Sequence, residues 1–168
     1  MTASPSVKPG SLTARDIMQG AVRTVDPDMS LVDFERLLLS ERIGGAPVMD
    51  KGKLVGVVSR SDIIRVLSLE QSIAEVQSRA YDHKSEVSER RAMELIGGHV
   101  GQRMQELRIR DAMTDVRATV DPDATLQEIA RAMVTHKIHR VLVMQDGKML
   151  GVVSRLELVR LIENGSLQ

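Results

Sequence analysis

The sequence predicts an α/β protein in which one β-α-β-β-α unit is used twice, and three observations carry that expectation. Residues 12–67 align with 107–162 without a gap and share 22 identities over 56 positions, which means one supersecondary unit repeated. Each copy alternates apolar residues at helical three-and-four spacing with short apolar runs suited to buried strands. Each copy also closes on the same stretch, Gly56-Val57-Val58-Ser59-Arg60-Ser61-Asp62 in the first and Gly151-Val152-Val153-Ser154-Arg155-Leu156-Glu157 in the second. A glycine-flanked apolar run followed by a hydroxyl, a basic residue and a carboxylate reads as a strand turning into a helix.

In order along the chain, 1–10 is rich in Ser, Pro, Gly and Thr and reads as a mobile tail, 1–11 in all. The repeats open with matched arms, Leu12 with Leu107 and Arg15-Asp16 with Arg110-Asp111. Thr24-Val25-Asp26-Pro27-Asp28 then matches Thr119-Val120-Asp121-Pro122-Asp123. Asp-Pro-Asp marks a turn, because proline fixes its own φ and moves the preceding residue out of the helical region. A helix follows, capped by Ser30 or Thr125 with an acid three residues on, Asp33 or Glu128. Its core stripe is Leu31, Phe34 and Leu38, matched by Leu126, Ile129 and Met133. Ala46 to Met49 and Val141 to Met144 read as strands, joined through Lys51-Gly52 and Asp146-Gly147 to Lys53–Val58 and Lys148–Val153 as hairpins. The closing helices are expected from Ser61 to about Leu67 and from Leu156 to about Ile162, with 163–168 as a tail.

Between the copies, 68–106 matches neither. Leu69, Ile73, Val76 and Ala80 run at helical spacing, as do Met93, Ile96, Val100 and Leu107, while the stretch from Tyr81 to Arg91 is strongly charged. A helical insert is expected, broken or kinked at Gly97-Gly98-His99-Val100-Gly101, since an interior helical glycine costs about 1 kcal/mol relative to alanine. A continuous rod from Asp62 to Ile96 would need tertiary support over its polar middle.

Composition excludes several function classes. Acidic and basic residues balance at 23 each, so no electrostatic field favours nucleic acid or an anionic membrane as a partner. Phe34 and Tyr81 are the only aromatics, which removes stacking platforms for single strands. Without cysteine there is no disulfide framework, thiolate nucleophile or cysteine metal site, in keeping with a reducing cytoplasm. No apolar run approaches the roughly 18 residues of a membrane span, and the N-terminus lacks a signal-peptide core.

The order Asp-x-Met, Thr-Val-x-Pro-x-x-x-Leu, helix, apolar strand, Gly-Lys-x-x-Gly-h-h-Ser-x-x-Asp (h, apolar) resembles the CBS domain. In that family two copies associate across a pseudo-twofold into a Bateman module. The resemblance covers 12–67 and 107–162, and it implies regulatory binding of AMP, ADP, ATP or, as second choice, S-adenosylmethionine in clefts between the units, without catalysis. It further implies that Val22 to Thr24 and the strand starting near Ala46 border the base in the first copy, as Arg117 to Thr119 and Val141 do in the second.

The residues themselves support such sites. A strand-to-helix turn points N–H groups and the positive end of a helix dipole at an oxygen-rich group. An ionised Asp62 offers two oxygens to the two hydroxyls of a ribose, and Ser59 can bond ribose or phosphate. Glu157 departs from aspartate, its extra methylene moving the carboxylate by about 1.5 Å, so Asp62 is expected to outrank it. Lys137, His139 and Arg140 place charge where the first copy has Arg42, Gly44 and Gly45. That segment resembles the His-Arg elements with which the γ subunit of AMP-activated kinase contacts phosphates, and Arg140 suits the role by its planar fork of donors. Arg60 and Arg155 are candidate phosphate assistants. The same letters have a plainer reading, since Ser59-x-x-Asp62 and Ser154-x-x-Glu157 are also capping boxes. His136-x-x-His139 suggests a metal pair but has no third ligand at a telling spacing.

Two function classes follow. One is a cytoplasmic regulatory module that senses an adenine nucleotide, changes inter-repeat or dimer geometry and acts on a partner protein, self-associating as a homodimer through apolar helix faces. The other is a ligand-free interaction module working through the helical insert. An enzyme is not indicated, because no nucleophile, base and orienting group converge.

Overall fold

The computed structural model describes residues 12–81 and 89–165. The elements are α1 (Ala14–Ile17), α2 (Leu31–Ser40), β1 (Gly45–Asp50), β2 (Lys53–Ser59), α3 (Arg60–Tyr81), α4 (Glu89–Glu106), α5 (Ile109–Ala112), β3 (Thr119–Val120), α6 (Leu126–His136), β4 (Arg140–Gln145), β5 (Lys148–Ser154) and α7 (Arg155–Glu163). They form two compact units whose boundaries fall near Arg23/Thr24 and Asp115/Val116. Each unit therefore takes its strands and long helices from one sequence copy and its short arm from the other.

In the unit spanning 24–115, β1 and β2 form an antiparallel hairpin. Val25 joins its edge in parallel, donating its N–H to Pro47 O and receiving one from Met49 N. The turn residues Lys51 and Gly52 have φ of 47° and 80°, the left-handed pair a tight hairpin needs. The expected stripe of α2 is the centre of the core, with Leu31, Phe34 and Leu38 buried against Val48, Val58, Ile63 and Val66. Ile109 and Ala112 of α5, which belong to the second copy's arm, are fully buried in the same cluster.

The other unit, 12–23 with 116–165, repeats the plan. The strand order is β3-β4-β5, with β3 parallel to β4 and β4 antiparallel to β5. Ile129 and Met133 pack on Val141, Val143 and Val153, and Ala14 of the first copy's arm is fully buried among them.

The two arms dock through matching bonds. Ala14 N donates to Ala124 O and Arg15 N to Pro122 O, while Ile109 N donates to Met29 O and Arg110 N to Pro27 O. Further on, Gln19 and Val152 exchange a backbone hydrogen-bond pair, as Thr114 and Val57 do. Arg15 lies 3.9 Å from Asp123, and Arg110 bonds Asp28, so each Asp-Pro-Asp turn receives the arm of the opposite copy. The signature glycines exist for this crossing. A Cβ on Gly56 would lie 2.9 Å from Thr114 O and 3.2 Å from Met113 Sδ, and one on Gly151 would lie 2.7 Å from Gln19 O and 2.9 Å from Met18 Sδ.

The helices between the copies correct the sequence reading in three ways. The first signature helix does not stop near Leu67 but continues to Tyr81 as α3. Glycines 97, 98 and 101 do not break α4, which runs unbroken from Glu89 to Glu106; packing against α3 outweighs a propensity cost of about 1 kcal/mol per glycine. The face of α3 that turns inward is Asp62, Val66, Glu70 and Ala74, whereas Leu69, Ile73 and Val76 stay exposed. Glu70 is buried, and Arg103 of α4, itself partly exposed, holds it at 3.5 Å. The N-terminal tail, most of the charged stretch before Arg91, the middle of any rod from Asp62 to Ile96, and the last residues of the C-terminal tail lie outside the described residues.

Gly56→Ala and Gly151→Ala should each destabilise their unit by about 1–3 kcal/mol, since a backbone carbonyl cannot yield as a side chain can. Chemical denaturation of the two variants checks this; unchanged midpoints would show that the arms do not cross the glycines.

Candidate functional site

The capping chemistry read from the sequence is present at both signature turns. In the first, Ser59 donates from N (2.8 Å) and from Oγ (2.6 Å) to Asp62 Oδ2. Asp62 Oδ1 accepts from Arg65 at 3.0 Å, and the same guanidinium donates to Ala112 O at 2.7 Å. In the second, Glu157 Oε2 accepts from Ser154 N at 2.9 Å and from Ser154 Oγ, while Oε1 accepts from Gln19 Nε2 at 2.7 Å. Arg160 stands 3.9 Å away. The two carboxylate side chains are 13% and 10% exposed.

This geometry narrows what either carboxylate can offer a ligand. Of roughly four acceptor positions on a carboxylate, three are used at each turn, so for Asp62 to take both hydroxyls of a ribose Arg65 has to give up its bond to Oδ1. The inner oxygen is committed to the cap, and one position on the outer oxygen is left. The N–H groups at the turn are partly committed as well: Ser59 N serves Asp62, Arg60 N donates to Gly44 O, Arg155 N to His139 O and Leu156 N to Ser154 Oγ.

Around the first turn, the 24–115 unit gathers Thr24, Ala46, Ser59, Arg60 and Asp62. Gly45 and Ala46 lie opposite Ser59 and Val58 in register, and Thr24 precedes the edge residue Val25. The unit of the second turn carries Arg117, Thr119, His139, Arg140, Val141, Ser154, Arg155 and Glu157; Arg140 lies directly across from Ser154, and Thr119 pairs with Leu142, next to Val141. Val22 falls in the unit of 12–23 with 116–165, just before the boundary at Arg23/Thr24. Ala46 and Val141 are buried in their cores, so a ligand there would meet backbone and not side chain. Arg60, Arg117, His139, Arg140 and Arg155 are exposed. No group of three or more metal-ligating side chains stands together among the described residues. Sequence reading missed Arg65 and Gln19. Arg65 carried a signal, being an arginine repeated at Arg160 one helical turn beyond the carboxylate. Gln19 carried none, since its counterpart is Thr114.

With the arms, turns and register in place, the comparisons with known proteins become decisive. The CBS domain family profile matches residues 14–69 and 109–164. The chain belongs to the CBS domain family. As a CBS pair, it is 31% identical over 153 residues, 86% of this chain and 88% of the other, to an uncharacterized protein of Methanocaldococcus jannaschii. The CBS domain of a CBS domain containing membrane protein from Sphaerobacter thermophilus superposes with a TM-score of 0.64 at 33% identity, covering 90% of this chain and 88% of that one. CBSX2, solved in complex with AMP, gives a TM-score of 0.64 at 25% identity over 90% of this chain and 96% of that one. No described helix of the present chain is long and apolar enough to cross a membrane.

The caps set a pH dependence. The backbone bond from Thr13 and its hydroxyl hold Asp16 below the ordinary 3.8, and the Ser30 hydroxyl does the same for Asp33. The backbone bond from Thr125 lowers Glu128 below 4.5; burial pushes Glu157 up, but the bonds from Ser154 prevail and its net shift is also down. A carboxyl depressed in the folded state contributes stability above its unfolded pKa and loses it as pH falls through the folded value. Melting temperature should therefore fall from about pH 4.5 downward, less steeply in Glu157→Gln than in the parent chain. Equal slopes in the two would show that the Glu157 cap carries no stability.

Proposed function

We propose that this CBS pair is a regulatory module that binds an adenine nucleotide, AMP, ADP or ATP, at its signature turns and thereby changes the geometry it offers to a partner protein. The observation that carries the reading is the register of β4 on β5, which sets Arg140 across from Ser154, with His139 preceding it and Lys137 at the end of α6 just before the strand. A planar guanidinium next to a hydroxyl at a helix start suits a phosphate, and a relative of 25% identity was solved with AMP. Thr24, Ser59, Arg60, Asp62 and the backbone at Ala46 would serve the first turn. Arg117, Thr119, the backbone at Val141, Ser154, Arg155 and Glu157 would serve the second, and Val22 would border the base at the first. Regulation would follow from differential affinity for two arrangements of the chain, and exposed Val159 and Ile162 on α7 offer an apolar face for a homodimer. A second reading, an interaction module working through α3 and α4, is favoured by the exposed stripe Leu69, Ile73 and Val76.

AMP at one hundred times its Kd should add about 2.7 kcal/mol of stability, a melting shift of several degrees. Arg140→Ala should remove most of the preference for AMP over adenosine without lowering the unliganded melt, because its side chain is exposed. A shift with S-adenosylmethionine and with none of the nucleotides would contradict the phosphate reading, and no shift with any of them would favour the interaction module.

A further inference from the structure

The departure of Glu157 from aspartate has a local physical explanation that does not involve a ligand. At the first turn the arm residue beside β2 is Thr114, too short to reach the carboxylate, and Arg65 closes the distance by donating both to Asp62 Oδ1 and to Ala112 O of the arm. At the second turn the arm residue beside β5 is Gln19, and its amide reaches Glu157 Oε1 directly at 2.7 Å. Both turns thus tie their carboxylate to an arm from the opposite sequence copy, one through a bridging arginine and one through a long amide meeting a longer acid.

The two ties respond differently to a hydroxyl approaching the outer oxygen. Arg65 has five donors and keeps its bond to Ala112 O while yielding Oδ1. Gln19 has a single tie to the carboxylate, at Oε1; one hydroxyl fits the open position on that oxygen, but the paired hydroxyls of a ribose need both positions, and the second takes the place of the Gln19 amide and releases the side chain from the turn.

We propose that Gln19 is a specificity-determining residue that competes intramolecularly with a ligand hydroxyl at the second signature turn, using Glu157 to hold the arm in place until a ligand displaces it. This rests on the reading of the chain as an adenine-nucleotide binder. It makes the second turn a site where the phosphate anchor Arg140 is accessible while the ribose acceptor is guarded, and the first a site where Asp62 is reached without disturbing the arm.

The test compares the parent chain with Gln19→Ala and Gln19→Asn, the latter keeping the amide but not its reach, by thermal melting without ligand and by calorimetric titration with AMP. Both variants are expected to melt a few degrees lower unliganded, yet to bind AMP more tightly at the second site. The gain is about tenfold in apparent Kd, the equivalent of one hydrogen bond of about 1.4 kcal/mol. Gln19→Glu, which sets a second carboxylate against Glu157, should melt lower at pH 7 and recover toward the parent on acidification to about pH 5, a profile that loss of packing alone does not produce. AMP bound equally or more weakly by the alanine and asparagine variants, or a pH-independent loss in Gln19→Glu, overturns the competitor role. Absence of AMP binding in parent and variants alike refutes instead the nucleotide reading on which it rests.

Discussion

A backbone carbonyl pressed against a glycine governs both units of this chain. Gln19 O over Gly151 and Thr114 O over Gly56 leave no room for a Cβ, and the hydrogen-bond pairs with Val152 and Val57 hold the arms at that distance. The rest of each arm follows from this contact. Met18 and Met113 lie against the same glycines, Ala14, Ile109 and Ala112 fill the cores, and the Asp-Pro-Asp turns receive the arm backbones. Because each arm comes from the other sequence copy, neither copy alone has the residues to complete a core, and the covalent repeat is not the packing unit.

The signature carboxylates gain their meaning from the same arrangement. A cap is commonly worth about 1 kcal/mol to its helix, but Asp62 and Glu157 do more, since their outer oxygens lead through Arg65 and Gln19 to the arms. The helix start, the arm and the candidate ligand position share one functional group. At the second turn the same carboxylate that caps the helix also holds the Gln19 side chain of the arm, so whatever occupies its outer oxygen bears on how that side chain packs.

Much of this was legible in the sequence. The gapless repeat, the caps at Ser30 and Thr125, the core stripe Leu31, Phe34 and Leu38, the two hairpins and the strand-to-helix turns all have local causes and stand where local rules put them. What was not legible depends on tertiary partners. Arg15 matching Arg110 and Asp123 matching Asp28 showed that arm and turn both repeat, but identical letters in both copies say nothing about which arm meets which turn. Helix α4 passes through its glycines because α3 supports it, and α3 turns Glu70 inward because Arg103 awaits it. At the turns, the capping boxes of Ser59 with Asp62 and Ser154 with Glu157 were legible, whereas the commitment of each inner oxygen, the burial of Ala46 and Val141, and the contacts of Gln19 and Arg65 required coordinates.

The exchange of arms is tested most directly by cross-linking, for which the absence of cysteine leaves a clean background. Gln19 and Val152 form a hydrogen-bonded antiparallel pair, with Cα atoms about 5.5 Å apart, within the range a disulfide spans. The double variant Gln19→Cys with Val152→Cys should oxidise at low protein concentration to an intramolecular disulfide that accelerates migration of the denatured chain. Gln19→Cys with Val57→Cys, which would pair if the first arm packed on its own copy, should stay reduced. Cross-linking of the second pair in preference to the first would contradict the account.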